Sequence, residues 1–163
     1  MDVGHFYFID DTYFIDFPDG NLMRNGPTVA GVSHGRPCFY SFYDLHQQIY
    51  WVIPISSKVS KYRSVYSHKI KKYGSCDTLA FGLVLGVEKA FLIQNMCPVT
   101  PKYISSEYYD QSANIPVRVN GVFERELKTK AKRVLALQRK GLNLIFPDVR
   151  TIESELLKQL GIQ

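Results

Sequence analysis

The sequence predicts an α+β fold, with an antiparallel, barrel-like β core, flanking helices and a helical C-terminal region. Two observations carry the prediction. Through residue 93, short β-branched and aromatic runs alternate with turn residues, and after Gly121 the apolar period becomes helical. Short strands joined by local turns argue for antiparallel pairing and against alternating βαβ units. With 163 residues and 45% apolar content, the chain can bury a real core as one domain spanning 1–163.

His5–Ile9 reads as a first strand, broken by Asp10-Asp11. Thr12 to Phe17 fits either a short helix or a second strand. Pro18-Asp19-Gly20-Asn21 is a turn cluster, and residues 22–37 read as loop with a short strand near Val29. Cys38–Tyr43 and Ile49–Ile55 follow as consecutive strands joined around Asp44–Gln48. Leu79–Leu85 and Lys89–Ile93 form another pair, joined at Gly86-Val87-Glu88. Cys97–Asn120, with Pro98, Pro101 and Pro116, reads as loop with a short helix near Ser105. Phe123, Leu127, Ala131, Val134 and Leu135 then recur at helical spacing, with Gly141 placed as the C-cap. A second helix begins near Pro147-Asp148 and runs through Ile152, Leu156 and Leu160 to Gly161.

Charge is unevenly distributed. The net formal charge is only +5, but residues 58–72 and 125–140 are strongly basic, while 1–20 holds five aspartates. No apolar run is long enough to span a membrane, and the N-terminus lacks the order of a secretory signal, so a cytoplasmic protein with no membrane partner is expected. Cys38, Cys76 and Cys97 form no C-x-x-C pair and no zinc-spaced cluster, which points to reduced thiols. Nucleotide-binding glycine loops, the G-x-S-x-G elbow and H-E-x-x-H are all absent from the sequence. The carboxylates lack the pairing of a two-metal site, so no metal or cofactor is expected.

The chemically suggestive segment is the abrupt end of the apolar run Ile49–Ile55 at Ser56-Ser57-Lys58. It places two hydroxyls and an ammonium at the tip of a stiff strand, followed by a cationic stretch without an acid until Asp77. Lys61, Tyr62, Arg63, His68, Lys69, Lys71 and Lys72 mix cations with aromatic rings, as a surface for RNA would. Lys128 and Lys132 add a basic helix face. Cleavage of RNA by its own 2'-hydroxyl needs alignment, donors to the phosphorane and two proton transfers. Ser56 and Ser57 are candidate donors, and Lys58 or Lys61 a candidate counter-charge. Locally, Ser-Ser-Lys also reads as a polar turn. His68 is the histidine best placed for an additional RNA contact; His5, His34 and His46 offer no paired arrangement.

Ile53-Pro54-Ile55-Ser56-Ser57-Lys58 resembles the proline, aliphatic, Thr/Ser, Ser, Lys motif of the ToxN/AbiQ/CptN endoribonuclease toxins of type III toxin–antitoxin systems, nearest the CptN branch. His5–Ile9 followed by Tyr13 is similar to that family's opening strand and aromatic. Arg36 stands where the family has a lysine, and Phe123 to Leu137 is similar to its helical region. The resemblance implies an SH3-like, MazF/Kid-like antiparallel barrel. It also implies metal-independent cleavage leaving a 2',3'-cyclic phosphate, a role in abortive phage infection, and inhibition by a pseudoknot RNA antitoxin in a closed toxin–RNA assembly. On this resemblance Ser56, Ser57, Lys58 and Arg36 are the catalytic-site residues. Two departures stand out: the family's lysine follows the serine after one intervening residue, leaving Lys61 as an alternative to Lys58, and arginine at 36 is too weak an acid for proton transfer. The alternatives are a non-catalytic RNA-binding module and a MazF-like ribonuclease with a protein antitoxin.

Overall fold

The apolar run beginning at Ile49 becomes the central strand of a mixed-length antiparallel sheet in the computed structural model, which describes residues 1–27, 30 and 35–162. The strand expected near Val29 and the loop position of His34 lie outside the described residues. In chain order the elements are β1 (Phe6–Ile9), α1 (Asp11–Asp16), β2 (Pro37–Asp44), β3 (Ile49–Ser56), α2 (Val59–Tyr73), β4 (Ala80–Val84) and β5 (Val87–Phe91). They continue with β6 (Cys97–Val99), β7 (Ile104–Glu107), β8 (Tyr109–Asp110), β9 (Ile115–Pro116), α3 (Gly121–Arg139) and α4 (Val149–Leu160). The sheet runs β4-β5-β3-β2-β1-β7, with β6 also paired to β3. Among the described residues this path does not close into a barrel.

β3 organises the sheet because it is paired along both edges. One edge meets β2 from Cys38↔Pro54 to Asp44↔Ile49, with an irregularity at Ser41, whose buried hydroxyl donates to the Trp51 carbonyl at 2.9 Å. The other edge is shared: β6 covers Tyr50–Val52, and β5 covers Ile55 and Ser56. Pro54 falls where this edge passes from β6 to β5; its carbonyl accepts from Leu92 N at 3.0 Å, so its missing N–H faces the same gap. A strand enclosed in this way needs apolar side chains throughout, as residues 49–55 provide.

One face of the sheet packs against α3 through an aromatic cluster. Phe6 meets Phe39 at 5.4 Å between ring centroids, and Phe91 meets Phe123 at 5.0 Å. On the other, Tyr13 of α1 packs beside Phe17 and Tyr103 and donates to the Pro98 carbonyl at 2.7 Å. Thr12–Phe17 is therefore helical, and its N-cap is Asp10, which accepts from Thr12 N. The three cysteines are free and buried. Burial pushes the Cys38 and Cys97 thiols upward, the latter to about 12, which keeps them protonated and inert. Among the described residues, no helix is long and apolar enough to cross a membrane.

Several expectations are corrected. Residues 59–73, read as a cationic stretch with aromatic rings for RNA, are a helix: Tyr62, Val65, Tyr66 and Ile70 recur at helical spacing and pack toward Leu79, Ala90 and Leu92, while Gly74 at φ 76° ends the helix. Tyrosines counted as RNA contacts hid that stripe. The segment Cys97–Asn120 holds four short strands, and Ser105 lies in β7 rather than in a helix. Pro98 and Pro116 fit because β6 and β9 each have a partner on one side only, and Pro101 opens the short helical turn Pro101–Tyr103. The β4–β5 hairpin turns at Leu85-Gly86, both at positive φ, one residue earlier than the glycine-centred loop expected. Two helix ends fall as expected: Gly141, at φ 100°, ends α3 just past Lys140, with Gly141 N donating to the Gln138 carbonyl at 3.0 Å and Leu142 N to the Leu137 carbonyl at 3.1 Å, and α4 starts after its N-cap, Asp148.

Candidate active site

Ser56 is the last residue of β3, and Ser57 follows it in the bend that leads to α2. Ser56 is buried, and its Oγ accepts from Lys58 N at 3.2 Å, closing the turn into α2. Ser57 is exposed and lines an open cleft of about 530 Å³. Of the two hydroxyls expected to hold the reacting phosphate, Ser57 lines the cleft, whereas Ser56 is buried at the end of the strand.

Two cations converge on the same cleft. Arg36, just ahead of β2, donates from Nη1 to the Ile55 carbonyl at 2.8 Å and from Nε to the Arg24 carbonyl at 3.3 Å. Lys89 comes from β5. The pairing of β3 with β5 ends at Ser56↔Ala90, and one residue further along each chain the Lys89 Nζ donates to Ser57 Oγ at 2.7 Å. Neither cation has a carboxylate partner among the described residues. Glu88, the neighbour of Lys89, is instead paired with Arg63. Phe8 and Tyr108, packed edge to face at 5.5 Å, and the hairpin residues Val84, Leu85 and Val87 also line the cleft. The result is a hydroxyl and two cations flanked by aromatic and aliphatic surface, an arrangement suited to a phosphodiester with its attached base.

Neither Lys58 nor Lys61 lines this cleft. Lys58 begins α2 as its N-cap residue, and Lys61 lies 5.4 Å from the Tyr62 ring. Tyr62 itself is buried against Leu79, Ala90 and Leu92, so its ring belongs to the core and is not offered to a base. Arg63 pairs with Glu88 and lies 4.2 Å over the Phe81 ring. His68, Lys71 and Lys72 are exposed along α2, with His68 roughly 15 Å of helix away from Lys58. Lys69 is turned inward to Thr78 and Gln94. Lys128 and Lys132 are on α3, and Lys132 lies over Phe42, which pairs with Trp51 about 17 Å of strand from Ser56. That distance separates it from the Ser57 cleft.

Lys89 is the residue that reading the sequence missed. Ser57 and Lys89 are 32 positions apart, and the usable signal was the β4–β5 hairpin, whose second strand returns to the end of β3. His5 pairs with Glu107, and His46 sits in the β2–β3 turn. Among the described residues, no three His, Cys, Asp or Glu side chains gather as a metal site.

A solved structure matches this architecture nearly end to end. It is AbiQ, a lactococcal anti-phage endoribonuclease belonging to the type III toxin–antitoxin system, with a TM-score of 0.67 over 98% of this chain and 99% of that one. The chain has the AbiQ fold. The family resemblance read from Pro54–Lys58 is borne out at the level of fold. At 12% identity the two sequences share little beyond it. No protein-family model matches the chain, and no curated protein matches it by sequence.

Proposed function

We propose that the chain is a single-domain, cytoplasmic endoribonuclease toxin of a type III toxin–antitoxin system, acting on cellular RNA and held inactive by a small structured RNA. The observation that carries this reading is the convergence of Ser57, Lys89 and Arg36 in one cleft of an AbiQ-like fold. The wider kinship with SH3-like MazF/Kid barrels belongs to the same reading. It is supported by the antiparallel pairing of the sheet, in which β3 exchanges β6 for β5 along one edge. A closed toxin–RNA assembly, with the antitoxin as a pseudoknot cut by the toxin, is the partner arrangement proposed.

The reaction is a transesterification without metal. The ribose 2'-hydroxyl gives up its proton to solvent as its oxygen bonds to phosphorus, the bond to the 5'-oxygen breaks and that oxygen takes up a proton, and the products are a 2',3'-cyclic phosphate and a 5'-hydroxyl. In this scheme Ser57 Oγ and the Lys89 ammonium hold a non-bridging oxygen, and Arg36 neutralises the charge that grows on the phosphorane. Lys89 also supplies an acidic proton near the departing oxygen. Phe8 and Tyr108 offer a face on which a flanking base stacks.

The test is cleavage of a defined RNA in EDTA, with the product ends read by mass spectrometry. Ser57→Ala is expected to lower the rate at least a hundredfold while RNA binding persists. Wild-type cleavage in that variant, or no cyclic phosphate among the products, refutes the reading.

A further inference from the structure

A second cleft, of about 560 Å³, opens at the far end of α2, between Lys69 and Tyr73 on one side and Leu142, Leu144 and Phe146 of the α3–α4 connection on the other. Its rim is unusually apolar for a surface: Tyr73 is 65%, Leu142 49% and Phe146 48% exposed. Lys69 lies half-buried in it. The Lys69 ammonium donates to Thr78 Oγ1 at 2.7 Å and Gln94 Oε1 at 2.9 Å, and sits 5.9 Å from the Phe146 ring centroid. Both partners are neutral, and Lys69 has no ion-pair partner among the described residues. An ammonium has three N–H donors, so one remains for an acceptor in the cleft.

Charge narrows the occupant. Asp77, the acidic residue on the lining, is neutralised by Arg133 at 3.2 Å, and Lys72 lies 5.0 Å over the Tyr73 ring. With Asp77 paired, Lys69 leaves a positive charge inside an otherwise apolar rim, and α2 carries no acidic residue over its whole length. A purely apolar ligand leaves the third Lys69 donor unmet, and an acidic peptide has no use for the exposed aromatic faces. An unpaired nucleobase meets both, with a π-face for Phe146 and Tyr73, a ring acceptor for Lys69 and a phosphate for Lys71 or Lys72.

We infer that this cleft binds an unpaired base of the RNA strand that α2 leads away from Ser57. The inference rests on RNA being the ligand of the first cleft. α2 begins two residues after Ser57 and spans 15 residues, so the two clefts lie roughly 22 Å apart along one basic helix. The second cleft thereby anchors a segment distant from the scissile bond and favours longer or structured RNA over short substrates.

The experiment measures binding of a fluorescent 2'-O-methyl RNA of roughly a dozen nucleotides, which has no nucleophilic hydroxyl and stays intact, to the full chain. Phe146→Leu and Lys69→Met are each expected to weaken binding about tenfold, while Phe146→Tyr stays within about twofold of wild type. Lys158→Ala, which removes an exposed charge paired with Glu155 on α4, serves as the charge-loss control. Binding by Phe146→Leu as tight as wild type overturns the inference. So does equal weakening by Leu and Tyr, which marks a packing role for Phe146. Undiminished cleavage by Ser57→Ala overturns the catalytic reading alone, because this binding assay needs no cleavage.

Discussion

Ser57 and Lys89 illustrate how little a side chain's chemistry says until its direction is known. Ser56 carries the same hydroxyl one position earlier, but it is buried at the end of the strand, where it closes the turn to Lys58 N. Lys58 stands next to Ser57 in sequence and lines no part of the cleft, whereas Lys89 donates to Ser57 Oγ at 2.7 Å. Removing Lys89 is therefore expected to cost more than removing Lys58. Steady-state cleavage kinetics should give about a hundredfold lower kcat for Lys89→Ala and less than about fivefold for Lys58→Ala. Lys89→Arg should recover part of the loss if the group acts as a cation, and recover little if it delivers a proton, since guanidinium is too weak an acid. The reverse ranking, with Lys58 dominant, returns the catalytic charge to the segment that follows Ser57 directly.

At the scale of elements, the position of the cleft depends on how β5 is held against β3. Behind the β4–β5 hairpin, Gly82 lies against the Phe123 ring of α3; an added Cβ would stand 2.2 Å from Phe123 Cε1. That ring is buried against Phe91 and cannot swing away like the end of a flexible chain. Gly82→Ala must shift the hairpin or the helix, at an expected cost of about 1–3 kcal/mol, measurable by urea unfolding. Because the same hairpin carries Lys89, this variant should also lose cleavage activity, although Gly82 is not part of the cleft lining. α2 makes a related point. Its stripe of Tyr62, Val65, Tyr66 and Ile70 is visible in the sequence once the tyrosines are counted as apolar. Its lysines then take different roles: Lys69 turns inward, while Lys71 and Lys72 remain at the surface.

For the molecule as a whole, acid is expected to be more damaging than mild base. The carboxyl of Asp148, the N-cap of α4, is held below its usual range by the hydrogen bond from the Thr151 hydroxyl and then by that from Thr151 N. Asp10 and Asp110 are lowered by the corresponding bonds from Thr12 and Ser112. A depressed folded-state pKa adds stability that is fully present above the ordinary value near about 4 and disappears as pH falls through the lowered one. Thermal unfolding should thus show a midpoint that is flat from neutral pH to about 5 and drops below about 4. Asp148→Asn, which keeps a cap oxygen but cannot ionise, should blunt that drop; an unchanged acid limb would assign it to other groups.

The α+β class, β1, the β2–β3 hairpin and the two C-terminal helices were legible from local pattern alone, because apolar period and turn chemistry are written in neighbouring residues. Ser57 and Arg36 could also be singled out, one by the abrupt end of an apolar strand and the other by a family resemblance. Lys89 could not, nor could the inward turn of Ser56 and Lys69. Those depend on which strand returns to the end of β3 and with what register, and pairing between segments some thirty residues apart is decided by the packing of the whole core. Sequence determined the elements and their chemistry; tertiary structure decided which side chains share a cleft, because strand register, not distance along the chain, sets what faces Ser57.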